Sequence, residues 1–380
     1  MRSEFISSIE QVPAAQWDAV VGSDYPFLAH RFLQAMEASG ATNRDNGWQP
    51  QHWLLWEGDE LLALLPCYLK FHSYGEYIFD RSWADAWHRA GGKYYPKLLS
   101  AIPYTPATGP RLCVRSAEQA ATALARAADD LMALIDREGY SSAHILLSNE
   151  RDARRWQGAG FSTRIGPQYH WFNYGYADFE DFLSRFSSRK RKVVRKERRL
   201  VSEQGLRCVR RLGSELEPAD WQRFYDFYQI TYAKRSGHGG YLSEAFFQQV
   251  GREMGDQIML VQAFDGDELV AAALNFFDSE ALYGRYWGCS REYDCLHFEA
   301  CYYQGIEFCI ERGLKRFDSG AQGEHKIARG FEPKRVFSNH FIANDEFRQA
   351  IDRFLREESQ HVGAYLSEAS EGLPFRQDLP

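Results

Sequence analysis

Two rhythms of apolar residues run along this chain. Phe32, Leu33 and Met36 recur at helical spacing and predict a helix over residues 27–39. Two runs of β-forming residues follow, 52–56 and 61–69, joined by Glu57-Gly-Asp-Glu60. That pattern predicts a hairpin around a Gly-Asp turn. Residues 116–137 are Ala-rich and helical, with Gly139 placed to cap them. A short apolar strand is expected at 143–147, a short helix at 152–157 closed by Gly158 and Gly160, and a β-like stretch at 161–174.

The second half repeats that order. Helices are predicted at 218–235 and 243–253, and a hairpin at 257–264 and 268–277 around Asp265-Gly-Asp267. A third strand at 282–288 precedes a helix at 297–312 that stops at Gly313. Strands at 314–318 and 336–342 and a closing helix at 345–367 complete the chain. "WLLWEGDELLALLP" echoes "MLVQAFDGDELVAAAL", and "LMALIDREGYSSAHILLS" echoes "GIEFCIERGLKRFDSG". A duplicated helix–hairpin–helix–strand unit is the economical explanation. The fold class is therefore α/β with mixed sheets, in two domains at 1–175 and 176–380 whose junction lies near 174–188.

Size and composition agree. The 380 residues exceed one ordinary core and suit two domains, and 44% hydrophobic and 15% aromatic residues supply the apolar mass. A net charge of −7 does not suggest a general nucleic-acid binder. Seven cysteines, an odd number without a C-x-x-C pair, offer neither a disulfide framework nor zinc spacing, so reduced thiols are expected. The N-terminus lacks the apolar core of a signal peptide, and residues 61–69 are too short to span a bilayer. These features point to a cytoplasmic protein without a transmembrane segment.

One segment departs from the acidic average. Residues 185–199, RFSSRKRKVVRKERR, carry nine Lys/Arg and a single acid, Glu197. Ser187 and Ser188 are good helix caps, and Phe186, Val193, Val194, Leu200 and Val201 are expected to form one buried stripe. Over residues 187–203 this gives a packed helix with its cations outward. Like charges held together cost stability, which a bound polyanion offsets. Arg189, Lys192, Arg195, Lys196 and Arg199 are the candidate phosphate-binding residues.

Two further segments concentrate polar chemistry. Residues 318–333, DSGAQGEHKIARGFEP, combine glycines with ionisable side chains after a short strand. Glu324 and His325 are candidate general bases for an amine nucleophile. Lys326 and Arg329 are candidates to hold a carbonyl oxygen or phosphate as negative charge develops. Residues 68–80, YLKFHSYGEYIFD, interleave aromatics with charges, as a pocket for a polar ligand requires. Its candidates are Lys70, His72, Glu76 and Asp80, with Tyr95 and Lys97 from the next aromatic stretch and Arg111 from the Pro-rich loop 103–111. No P-loop, G-x-G-x-x-G, G-x-S-x-G or H-E-x-x-H motif is present, and no metal site is expected.

The segments "YLKFHSYGEYIFDRSWADAW", "YYPKLLSAIPYTPATGPRL", "SSRKRKVVRKERR", "YWGCSREYDCLHFEACYYQGIEFCIERG" and "GAQGEHKIARGFEP" resemble the FemAB-like family of peptidoglycan biosynthesis/recognition proteins. That resemblance implies two tandem GNAT-like domains. It also implies an N-acyltransferase that moves an acyl or aminoacyl group from acyl-CoA or aminoacyl-tRNA to an amine. By position it makes Lys326 or Arg329 the cation beside the acyl carrier and places Glu299, a further candidate base, and Tyr302 at the same cleft. The implied partners are a small-molecule amine acceptor and tRNA. The chain departs from the acetyl-CoA pattern, because 289–299 lacks the R/Q-x-x-G-x-G/A loop whose N–H groups bind the CoA pyrophosphate. The missing loop also fits a second possibility, a non-catalytic protein that binds a phosphorylated cell-wall precursor.

Overall fold

The computed structural model describes residues 1–321 and 323–376. In chain order the strands are β1 (Arg2–Ile6), β2 (Trp48–Pro50), β3 (His52–Glu57), β4 (Glu60–Leu65), β5 (Tyr68–Lys70), β6 (Lys97–Ser100), β7 (Cys113–Val114), β8 (Ser142–Ser148), β9 (Ser162–Phe172), β10 (Leu206–Leu212), β11 (Ile258–Asp265), β12 (Glu268–Phe277), β13 (Ala281–Cys289), β14 (Arg316–Asp318) and β15 (Glu332–Ile342). The chain forms two compact units, Met1–Pro167 with Arg335–Ala364, and Gln168–Lys334 with Tyr365–Pro380. The division differs from the contiguous boundary expected at 175, because a segment from the second half of the sequence returns to the first unit. Strand β15 and helix Asp345–Glu371 carry apolar residues that complete that unit's core, and sequence order does not record such a return.

In the first unit, β1, β3, β4 and β7 form an antiparallel sheet. A second group runs β15–β8–β6–β5–β2, with β8 and β6 parallel. Helix Ala120–Glu138 buries Ala123, Ala127, Leu131, Leu134 and Ile135, a stripe at helical spacing, in a core with Trp53, Leu55, Leu65 and Ile145. In the second unit the order is β10–β11–β12–β13–β14–β9, antiparallel except for the β13/β14 pair. Trp171, Phe182, Met259, Leu282, Tyr303, Ile306 and Phe317 are among its core residues.

The predicted internal echo is visible within each unit. Both hairpins close through two-residue turns that begin with glycine at positive φ, Gly58 (+58°) and Gly266 (+59°). Helices Ala120–Glu138 and Gln304–Arg312 end on left-handed glycines, Gly139 and Gly313, and lead to the parallel strands β8 and β14.

Three local expectations change. The helix predicted from residue 27 starts at His30, because Pro26–Leu28 forms a separate 3₁₀ turn, the Trp17 indole donates to the Leu28 carbonyl at 2.8 Å, and Asp18 accepts the His30 N–H at 2.8 Å. The run 61–69 splits at Pro66 into β4 and β5, which belong to different sheets. Val193, expected on the buried stripe of the basic helix, is 47% exposed, while Val194 and Val201 are buried. Helix Arg81–Arg89, with Trp83 and Trp87 buried, adds an element beyond those expected. Among the described residues no helix is long and apolar enough to cross a membrane.

Candidate active site

Strands β13 and β14 pair over three residues only, ending at Tyr283↔Asp318, while β13 runs on to Cys289. Strand β14 ends there, so from Gly284 onward that edge of β13 has no strand partner among the described residues, which leaves a wedge with polar residues of the second unit around it. Helix Gln304–Arg312 packs close beside the paired stretch because residue 305 is glycine: a Cβ there would lie 2.4 Å from the Phe317 ring. The same helical run begins at Leu296 and contains a π turn at Glu299–Tyr303.

The loop after β14 is fastened from inside. Asp318 accepts the Gly320 N–H at 3.0 Å, and His170 Nε2 lies 3.5 Å from the other Asp318 oxygen. The buried Lys326 ammonium donates to the carbonyls of Ser319 and Gly320, both at 3.0 Å. Burial pushes Lys326 down to about 8, with Asp318 acting in the opposite sense. Arg329 is also buried: it donates to the His325 carbonyl at 2.7 Å, pairs with Glu197 of the basic helix at 2.6 Å and lies over the Phe298 ring at 3.4 Å. Tyr303 also bonds Glu197. The basic helix and the Gly-rich loop therefore meet directly.

The candidate bases differ in availability. Glu299 has its oxygens occupied by the Arg198 fork at 2.9 and 3.0 Å and by Gln304 at 2.7 Å, an arrangement that orients rather than deprotonates. Glu324 is exposed and accepts from the Tyr365 hydroxyl at 2.7 Å. His325 bonds the Tyr302 hydroxyl through Nε2 at 2.8 Å, which leaves Nδ1 toward the loop side of the ring. Partial desolvation lowers the His325 pKa, and Lys326, Arg329 and Arg235 lower it further. Burial pushes the Tyr302 hydroxyl well up, so it stays protonated.

The helix Ser188–Glu203 sorts its cations by partner. Arg198 is held by Glu299 and Glu307, the latter at 2.6 Å, and stacks on Phe179. Arg195 pairs with Glu180 and Arg199 with Glu203, both in exposed positions where such pairs contribute little. Arg189, Lys192 and Lys196 have no acidic partner among the described residues, nor do Lys190 and Arg191, which are not among the candidates from sequence.

The first unit brings together most of the candidates in 70–97. Lys97 is fully buried and donates to Asp80, to Glu76 at 2.8 Å and to Ser73 at 2.9 Å. Burial opposes its charge, but Glu76 and Asp80 outweigh that and raise its pKa. Burial pushes Glu76 up to about 7, against Lys97. Lys70 lies 3.7 Å over the Trp48 ring and donates to the Tyr74 carbonyl at 3.2 Å, and burial lowers it to about 7. Tyr95 reaches the cluster through Ser73 at 2.8 Å. Tyr94, His144 and His340 extend it, through Tyr94 to Asp80 at 2.6 Å and the two imidazole Nδ1 atoms at 2.7 Å. None of these three is a candidate from sequence, since only folding places residues 94, 144 and 340 together. His72 packs its ring against Gly47 and Tyr74 at the cluster's edge. Arg111 stands apart from this cluster, buried and donating to the carbonyls of Pro110 and Ala107 in its own loop.

The sequence model for FemAB-like proteins, described as peptidoglycan biosynthesis/recognition, matches residues 8–377. The chain belongs to the FemAB-like family. No curated protein matches it in sequence. Among solved structures it is similar to FemX, at 12% identity and a TM-score of 0.55, covering 93% of this chain and 100% of that one. It is also similar to the C-terminal domain of a putative lysylphosphatidylglycerol synthetase from Agrobacterium fabrum (9% identity, TM-score 0.54, 91% and 95% covered). L-PGS from Bacillus licheniformis is a third (11%, 0.51, 88% and 97%). This FemAB-like chain therefore shares its mixed α/β fold with these three structures, in line with the mixed sheets that its sequence implies.

Proposed function

We propose that this FemAB-like protein transfers an acyl or aminoacyl group from a phosphate-bearing carrier, acyl-CoA or aminoacyl-tRNA, to the amine of a peptidoglycan precursor, with the wedge of the second unit as its reaction site. The observation that carries the proposal is the Arg329–Glu197 pair, which ties the cationic helix to the loop holding His325 beside Tyr302. A polyanionic carrier would meet Arg189, Lys192 and Lys196 while its acyl end reaches the imidazole. Placement of both substrates supplies much of the rate in such reactions.

The amine nitrogen attacks the acyl carbonyl carbon, and the carbonyl π pair moves onto oxygen. His325 Nδ1 takes the proton the amine must lose, in the tautomer whose Nε2–H faces the Tyr302 oxygen. On collapse the carbon–carrier bond breaks, the carrier leaves with that electron pair, and it receives the proton from His325. Lys326 and Arg329, expected to steady the oxyanion, act one step back: their donors hold Ser319, Gly320, His325 and Glu197 in place. The absence of a Gly-rich pyrophosphate loop between β13 and Leu296 favours aminoacyl-tRNA over acyl-CoA. The experiment is to offer labelled acyl-CoAs and charged tRNAs with peptidoglycan-precursor peptides. Labelled amide should form, with His325→Ala lowering turnover about 10²-fold or more. No amide from any donor ends the proposal.

A further inference from the structure

The wedge holds one imidazole that the proposed chemistry has not used. His297 lies at the start of the helical run that enters the wedge. Its ring makes aromatic contacts with Trp287, on β13 beyond its pairing with β14 (centroids 5.6 Å), with Tyr302 (5.4 Å), with Phe298 (5.7 Å) and with His325 (6.2 Å). Those contacts fix the ring plane on several sides. Neither ring nitrogen has a hydrogen-bond partner among the described residues, and the side chain is half-buried. Every other imidazole near the wedge has a partner: His325 bonds Tyr302, and His170 bonds Gln168 at 3.1 Å.

We propose that His297, as a neutral imidazole, donates its ring N–H to the oxyanion of the tetrahedral intermediate. This assignment rests on the acyl-transfer proposal above and adds a residue to its machinery. The cations expected to steady that oxyanion give most of their donors to the loop and the basic helix, and His297 adds a donor that is not engaged there. The groups that face His297 are Arg235 from the helix Pro218–Ser236, and His325, Lys326 and Arg329 from the loop. Burial lowers the His297 pKa to about 3, and these four neighbours push in the same direction. A neutral ring is a poor acceptor of the amine proton at working pH, but it keeps an N–H and adds no charge in the resting site. Donors preset for the charge that appears in the transition state give large effects, on the order of 10²–10³-fold in kcat for one donor.

The test compares His297→Ala with His297→Gln, which retains an N–H donor, using whichever charged tRNA or acyl-CoA the wild-type protein accepts. His297→Ala should lower kcat by about 10²–10³-fold with little change in KM. His297→Gln should recover part of that loss, and the pH–rate profile should keep its shape in both. A kcat within twofold of wild type in His297→Ala, or loss of the acid limb of the profile, overturns the assignment. Diethyl pyrocarbonate followed by peptide mass spectrometry reads the resting ring without turnover: His297 should be carbethoxylated, and a ring that stays unmodified in the folded protein also overturns it. If His325→Ala loses turnover while His297→Ala does not, only this inference fails. If the wild-type protein transfers nothing from any donor, the acyl-transfer proposal and this assignment fall together.

Discussion

At the scale of single residues, the protein places charge where burial makes it expensive and then pairs it. Lys97 is the clearest case: removing its ammonium leaves Glu76 and Asp80 facing each other in a dry site. Lys97→Met should cost about 3–5 kcal/mol in urea unfolding, the range for breaking a buried pair from one side. Glu76→Gln should cost less, because burial pushes the Glu76 carboxyl up to about 7 and so offsets part of what its charge contributes. The two imidazoles beside the cluster set a pH dependence. Burial lowers His144 to about 3 and His340 well below its ordinary value. Both are depressed in the folded state, so the unfolded chain binds more protons on these two rings between about 3 and 6.5, and their contribution to stability falls as pH falls through that window, while Glu76, raised to about 7, acts in the opposite sense. Unfolding free energy measured at pH 7.5 and pH 5 should show the decline. His144→Gln should flatten it, and an unchanged slope in that variant would show that the histidines are not its source.

At the scale of elements, the basic helix Ser188–Glu203 does two jobs on two faces. Val194 and Val201 pack inward, and Arg198 reaches through to Glu299 and Glu307. The unpaired cations point elsewhere, which divides the helix's charge into a structural set and a set open to a ligand. The double substitution Lys192→Glu with Lys196→Glu should leave the fold intact, since neither residue packs. It should weaken tRNA binding and reduce the slope of log affinity against log salt by about one for each phosphate no longer neutralised. A filter-binding salt series checks this, and an unchanged slope would remove the helix from the carrier site. The stripe expected from sequence is too wide, because spacing alone places Val193 with Val194. The packed interface is narrower than the apolar arc and leaves Val193 in solvent.

At the scale of the whole molecule, the return of Arg335–Ala364 to the first unit decides what can be cut. Its residues supply β15 beside β8, and Ile342, Ile351 and Leu355 pack with Trp83, Trp87 and Tyr94. A chain ended at Lys334 would expose the β8 edge and uncover those rings. Such a chain should lose protection of the first unit's amides in hydrogen exchange and aggregate on heating. Retention of native protection there would mean that the returning segment is dispensable.

Much of this was legible in the sequence. The hairpins were, because a Gly-Asp turn between β-forming runs has few other uses, and the helices ending at Gly139 and Gly313 were, because a left-handed cap wants glycine. The basic segment and the EHK loop were visible as local excesses of charge and glycine. The partners of those charges were not. Lys326, Arg329 and Glu299 read as reactive groups in one dimension, and three dimensions give each of them carbonyls or counter-ions to hold. His297 and the His144–His340 pair carried no local signal, since their character comes from neighbours far away in the chain. Periodicity and turn chemistry are properties of neighbours along the chain, so the elements, their echo and the family could be read from residue order alone. Burial, pairing and an unoccupied donor are properties of neighbours in space, so the folded chain alone distinguishes the charges that support the site from those that remain free to act in it.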